Sequence, residues 1–363
     1  MKTLPLHKAH EALKAQFTEK YGTFMPNVYT SVEREYASCR EGAGVVDRSC
    51  WGVLKVRGGD SLDLLHRLST NDLLALKPGM ASATIFTNEH GRIVDLVSLL
   101  RQEDQLVLVT SPQNGDGVAR WIEKFTFSED AKAENVSDSH GILTVIGPRK
   151  RDALNSLFGK NPGELESGRF FEVSLAGSKA RVLVAPALEL GGVGINLICQ
   201  AADLAEVWGR LLNADSEVKV GAVGWAAFDL FRIERGIPLP GSELGEEINP
   251  LEANLAKAVS FTKGCYVGQE VIARLDTYDK VQKRLCHITL DRFVEWSSDK
   301  RPEVLSNGQK VGWMTSLAVS PSTGMPVGLA YVRTKSIQAE LEISVRANES
   351  EARGRVQGPA NPE

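Results

Sequence analysis

The residues best equipped for chemistry lie in one block, Lys263-Gly264-Cys265-Tyr266-Val267-Gly268-Gln269-Glu270, followed by Val271-Ile272-Ala273-Arg274. An apolar run with helical rhythm begins after the second glycine, which places a helix start at Gly268 or Gln269. A thiol just ahead of a helix N-terminus sits near partial positive charge, and Lys263 adds a full one. Both favour the nucleophilic thiolate. The two glycines permit backbone conformations and close approaches that a side chain would block. Glu270, in the first helical turn, suits the helix dipole and needs no other role. The alternative for Cys265 is a buried cysteine packed in a turn, the common fate of a free thiol.

Other candidates carry less. His7 and His10 share one face of an amphipathic helix expected over residues 7–20, with Leu13 and Phe17 four apart. With no carboxylate or further histidine expected beside them, they do not indicate a metal site. Gly191-Gly192-Val193-Gly194 invites a phosphate-loop reading, but no Lys-Ser/Thr follows and a strand comes next, so a hairpin turn is the better reading. The five cysteines, Cys39, Cys50, Cys199, Cys265 and Cys286, are odd in number and form no C-x-x-C. Neither a disulfide framework nor a zinc site follows, and reduced thiols in a cytoplasmic protein are the simplest assumption.

The 363 residues, 42% hydrophobic and 24% charged, have ordinary globular composition and length for two or three domains. A net charge of -4 argues against a broad nucleic-acid surface. No run reaches about 18 apolar residues, so no membrane span is expected. Met1 to His10 has no long apolar stretch of the secretory kind, and Glu11, Glu19, Glu33 and Glu35 speak against a mitochondrial leader.

The elements that must position these residues read as α+β. A strand is expected over 52–57, and Gly58-Gly59-Asp60-Ser61 caps a helix from Leu62 with Leu62, Leu65 and Leu68 on one side. Strands over 80–88 and 92–100 meet at Glu89-His90-Gly91; a strand over 105–110 and a helix over 118–127 follow. The rhythm then repeats: strand 142–146, helix 149–158, strands 170–175, 180–185 and 195–199, helix 202–212. A helix over 221–235 is stopped by Gly236-Ile237-Pro238. From Lys280 the chain turns β-rich, with strands over 309–316, 326–332 and 341–345, which fits a small barrel of roughly 80 residues. The last dozen residues are expected to fray.

The block around Cys265 resembles the signature of the YgfZ family, folate-binding proteins that help assemble or repair iron-sulfur proteins. Other segments resemble the wider glycine-cleavage T-protein (aminomethyltransferase) superfamily. These are Leu68-Ser69-Thr70-Asn71-Asp72-Leu73, the Gly91-Arg92-Ile93-Val94-Asp95-Leu96 hairpin, Arg232-Ile233-Glu234-Arg235-Gly236-Ile237-Pro238, Asn249-Pro250-Leu251-Glu252-Ala253, and a C-terminal series from Val311-Gly312 to Leu329-Ala330-Tyr331-Val332. The resemblance implies two ferredoxin-like α/β domains around a central folate channel plus a C-terminal β-barrel. Its boundaries would fall at 1–135, 136–278 and 279–363. It also implies tetrahydrofolate or a derivative as cofactor, with Asp95, Asn71, Arg232 and Glu234 on the folate and Cys265 and Asp95 in the chemistry. Lys263, Gly264, Tyr266, Gly268, Gln269 and Glu270 complete the motif.

Two functions remain open on this basis. The T-protein hairpin usually carries two consecutive acids, where this chain has Val94-Asp95, and the turn at Gly191–Gly194 lacks the usual glutamate. One acid fewer and one cysteine more favour a folate-binding accessory factor that acts on iron-sulfur client or assembly proteins through Cys265. One cysteine cannot hold a cluster alone, since clusters take about four ligands. The alternative is a folate-dependent aminomethyltransferase served by a lipoyl-bearing partner, which the retained Asp95 supports. Arg232 suits the glutamate carboxylates of folate, or else a surface pair with Glu234.

Overall fold

The computed structural model describes residues 1–159, 165, 168–214, 217–297, 300–337, 340–348 and 350–360. The chain forms two compact units. One comprises Met1–Phe86, Asp95–Phe228 and Thr262–Tyr266; the other comprises Thr87–Val94, Asp229–Phe261 and the chain from Val267 onward. Among the described residues no helix is long and apolar enough to cross a membrane.

The first unit is built on two larger sheets and a small one. The five-stranded sheet runs Met80–Thr87, Ile93–Arg101, Leu106–Pro112, Trp51–Arg57, Lys132–Asn135. The six-stranded sheet runs Phe171–Ser174, Arg181–Pro186, Gly194–Gln200, His140–Ile146, Ala43–Asp47, Val220–Ala222. Its central strands are apolar runs buried along their length, as strands covered on both faces must be. Val45, Leu143, Val145, Val182, Val184 and Leu197 form its core. Helix Leu204–Leu212 adds Leu204, Val207, Trp208 and Leu211, which the helical period places on one face. Gly191 and Gly192 (φ 67 and 80) turn the chain between two antiparallel strands, the expected hairpin.

Three local expectations give way here. The helix expected over 7–20 stops after His7–Ala12; Lys14 takes a left-handed conformation (φ 57) and Gln16–Lys20 becomes a strand paired with Thr23–Val28. The helix expected from Gly221 starts only at Trp225, because Val220–Ala222 pairs in parallel with Ala43–Asp47, far away in sequence. In helix Ser61–Leu68 the buried leucines are Leu64, Leu65 and Leu68, with Leu62 half-exposed.

The second unit contains a closed six-stranded barrel in the order Lys283–Leu290, Pro326–Arg333, Gln309–Val319, Glu303–Ser306, Leu341–Ala347, Ser350–Pro359, closing on Lys283–Leu290. Leu341, Ile343, Val345 and Ala347 alternate with more exposed residues, as a barrel strand with a filled interior requires. The frayed C-terminus was a wrong expectation as far as Ala360. Ser350–Pro359 pairs on both sides and Ala360 donates its N–H to Leu285 O at 2.8 Å. Residues 361–363 of that expectation lie outside the described residues.

Helix Gln269–Thr277 begins where the sequence placed it, after Gly268 in left-handed conformation (φ 83). A Cβ on Gly268 would lie 2.5 Å from Asn88 O and 2.9 Å from Gly91 Cα. The hairpin tip at Asn88–Gly91 is tight because Asn88 Oδ1 accepts the N–H groups of His90 and Arg92, both at 3.0 Å. Thr87 Oγ1 donates to Val267 O at 2.6 Å, so the segment ahead of the helix is fastened to the hairpin tip. Gly268→Ala should therefore cost about 2 kcal/mol or more, from the left-handed backbone and from contact with main-chain atoms that cannot yield. Urea denaturation measures this; an unchanged midpoint would contradict the close approach.

Candidate active site

Strand Ile93–Arg101 carries Asp95, whose side chain is buried. The neighbouring strand Leu106–Pro112 brings Ser111 alongside. Ser111 N–H donates to both carboxylate oxygens at 3.2 and 3.3 Å, and the Ser111 hydroxyl donates to Oδ1. The chain then turns through Gln113, a left-handed residue (φ 55), and Asn114 Nδ2 reaches Oδ2 at 2.8 Å. Asn114 occupies the N-cap of helix Gly115–Lys124 without a side-chain capping bond, and its Nδ2 is directed to Asp95. The helix start comes close because strand Trp51–Arg57 has glycine at position 52: a Cβ there would lie 3.0 Å from Gly115 Cα.

Burial disfavours the charged carboxylate, and the Ser111 and Asn114 hydrogen bonds favour it. Burial prevails, and Asp95 is pushed up from 3.8 to about 6. The fold thus prefers the neutral acid. That stabilising preference is complete below pH 3.8 and is lost as pH rises through about 6. Near neutral pH Asp95 can therefore take or give a proton.

A second buried carboxylate, Glu189, carries no signal in the local sequence. The turn Gly191–Gly194 has no acid, as expected, but Glu189 just ahead of it has its carboxylate in the interior. Arg48 Nη1 donates to Glu189 Oε1 at 2.8 Å, and the Ser98 hydroxyl donates to Oε2. Asn196 Nδ2 also reaches Oε1, at 3.0 Å. Arg48 is wholly buried with its guanidinium 4.1 Å from the Trp51 ring, while its Nε and Nη2 have no acceptor. Ser98 and Asp95 are three residues apart on one strand, so their side chains leave opposite faces of the sheet. The partners of Glu189 lie 7 to 141 residues away, and no local pattern announces the more distant ones. His10 also has a carboxylate beside it, contrary to expectation: its Nε2 lies 2.9 Å from Asp47 Oδ2 and its Nδ1 2.9 Å from the Tyr29 hydroxyl.

The residues nominated from sequence take varied places. Cys265 is exposed, whereas Cys39, Cys50, Cys199 and Cys286 are buried; all five are free thiols. Lys263 is buried and its ammonium donates to the main-chain oxygens of His66, of Ser69 at 2.7 Å and of Asn71 at 2.8 Å. Its three N–H groups are taken up by carbonyls, and burial lowers it to about 8. The lysine thereby fastens the motif to the loop after helix Ser61–Leu68. The ammonium also lies 5.1 Å from the ring of Tyr266, a buried phenol pushed up to about 12. Gly264 is exposed, Gln269 half-buried at the helix start, and Glu270 exposed in the first turn.

Asn71 serves its own loop. Its amide donates to Ser82 Oγ at 3.2 Å and Ala83 O at 2.8 Å, and its Oδ1 accepts from Asp72 N–H. Arg232 lies in the interior rather than in a surface pair. It is buried, and it binds Asp229 at 2.7 Å, Glu243 at 2.7 Å and Ser316 Oγ at 2.5 Å. Two carboxylates already engage the guanidinium, which accounts for Arg232 as the tie between its helix and barrel strand Gln309–Val319. Glu234 is half-buried, and its charge bears on His287. Of the nominated residues, the structure brings Lys263 onto Asn71 and Tyr266. Among the described residues no hydrogen bond joins Asp95 to Cys265 or Asn71.

Residues 6–263 match the family described as GCVT N-terminal domain, and 283–359 match the glycine cleavage T-protein C-terminal barrel domain. This chain belongs to the glycine cleavage T-protein family. It is 31% identical over 346 residues to an aminomethyltransferase of Thermotoga petrophila, covering 95% of this chain and 93% of that one. To the aminomethyltransferase of Moorella thermoacetica it is 31% identical over 359 residues, covering 97% and 96%. The crystal structure of the glycine cleavage system aminomethyltransferase T from Bartonella henselae shares the fold, with a TM-score of 0.86 at 24% identity, covering 99% of this chain and 97% of that one. The T-protein-family fold is thus the mixed α+β arrangement with a barrel that the resemblance implied. Both relatives bear the transferase's name rather than that of the accessory-factor branch suggested by the cysteine block.

Proposed function

We propose that the chain binds a reduced folate and transfers a one-carbon unit, with Asp95 as its acid–base group. The observation that carries this reading is the buried Asp95 carboxylate, enclosed by donors from Ser111 and Asn114 and pushed up to about 6 by burial. Bound tetrahydrofolate would supply a nucleophilic ring nitrogen to receive the carbon. Asp95 would hold that amine by a hydrogen bond and take its proton as the nitrogen becomes bonded to carbon. Ser111 and Asn114 would keep the carboxylate aimed and offset its charge. The Arg48 Nε and Nη2 atoms, buried without an acceptor, fit a ligand rich in carbonyl or carboxylate oxygens. The aminomethyltransferases that this chain resembles over nearly its whole length support the same reading.

Assay of methylenetetrahydrofolate formation with a lipoyl-bearing donor, alongside folate binding, tests it. Asp95→Asn should retain folate binding and lower kcat/KM by about 100-fold or more. The wild-type rate should rise with pH through about 6, and that limb should vanish in the variant. An active Asp95→Asn enzyme with an unaltered profile would refute the assignment.

A second reading rests on Cys265, the one exposed cysteine, set in a block unlike an ordinary turn. On that reading the folate-loaded protein serves iron-sulfur client or assembly proteins in the cytoplasm through this thiol. Cys265→Ala would then depress iron-sulfur enzyme activity in cells lacking the wild-type chain and leave one-carbon transfer unchanged. Full complementation by Cys265→Ala would remove this reading.

A further inference from the structure

The barrel carries a cavity of about 380 Å³ whose lining includes Lys283, Lys310, Arg333, Lys335, Trp313 and Tyr331, and no acidic side chain among the described residues. Barrel pairing explains the concentration of charge. Lys283 lies directly across from Arg333 in the antiparallel pair Lys283–Leu290 and Pro326–Arg333, so their side chains leave the same face. Trp313 is paired in the same way with Tyr331, two residues before Arg333, on that face too. Like charges directly opposite in a sheet oppose folding. Lys283 is relieved by Glu252 at 3.4 Å and by the rings of Trp313 and Tyr331, and Lys310 by Glu303 at 2.8 Å. Arg333 and Lys335 make no ion pair among the described residues and are exposed. Trp313 Nε1 is buried with no acceptor. Two uncompensated cations and the Trp313 ring thus border a single cavity of a size that holds small-molecule ligands.

We propose that this face of the barrel binds a small ligand bearing two or more oxyanions, which Arg333 and Lys335 pair with beside the Trp313 ring. Carboxylates strung on a γ-glutamyl chain and phosphates of a polyphosphate share this chemistry. The site is independent of the reading of Asp95.

Isothermal titration of the full chain with tri-γ-glutamate and with tripolyphosphate, at low and high salt, tests the site. At least one probe should bind saturably at one site, more weakly at high salt. Arg333→Ala and Lys335→Ala, both at exposed positions, should each weaken it by about tenfold. Trp313→Phe, which removes only the indole N–H and ring bulk, should weaken it by a smaller factor. Lys257→Ala, an exposed lysine of the same unit outside the cavity, should leave it unchanged. Binding of tri-γ-glutamate alone would make the ligand a polycarboxylate; binding of tripolyphosphate alone would make it a polyphosphate. Failure of both probes to saturate, or equal weakening by Lys257→Ala, would overturn the proposal.

Discussion

A carboxylate removed from water must either stay neutral or be solvated by groups the fold holds in place. Asp95 sits between those outcomes. Ser111 and Asn114 give it much of what water would, and burial keeps its proton affinity well above that of a surface acid. Reaching this balance takes a strand pair to present Ser111, a left-handed residue to reverse the chain, and an N-cap asparagine whose Nδ2 is directed to Asp95. Gly52, which lets that helix start come close, belongs to the same arrangement.

The same economy of buried charge runs through both units. Arg48 with Glu189 and Arg232 with Glu243 are ion pairs in the interior, each completed by hydroxyl groups. Removing one partner of such a pair leaves an uncompensated charge, a loss of about 3 to 5 kcal/mol. Lys263 is handled differently: main-chain carbonyls receive its ammonium, and burial lowers its proton affinity. These groups fix the positions of loops that short sequence motifs only mark.

Much of the framework could be read from local pattern. Alternation marked most barrel strands, Gly236 ended its helix, and Gly268 stood one residue before the helix that follows it. Failures came where a distant partner decides. Val220–Ala222 is a strand only because Ala43–Asp47 lies beside it, and Ser350–Pro359 is ordered only because the barrel closes on it. The candidate site shows the same division. Asp95 was visible as the acid of a recognisable hairpin. The occupations of Lys263, by carbonyls more than 190 residues back, and of Arg232, by Glu243 and Ser316, were not. Residue type proposed a charge at each position, and packing decided what that charge would meet.

The candidate site turns on Asp95 as a protein-solvated carboxylate whose proton affinity burial raises. Carbon-13 NMR titration of the aspartate carboxyl resonances, with the Asp95 signal assigned by its loss in Asp95→Asn, measures this directly. A midpoint near pH 6 is expected; one at the ordinary value of 3.8 would mean that burial does not govern this carboxylate.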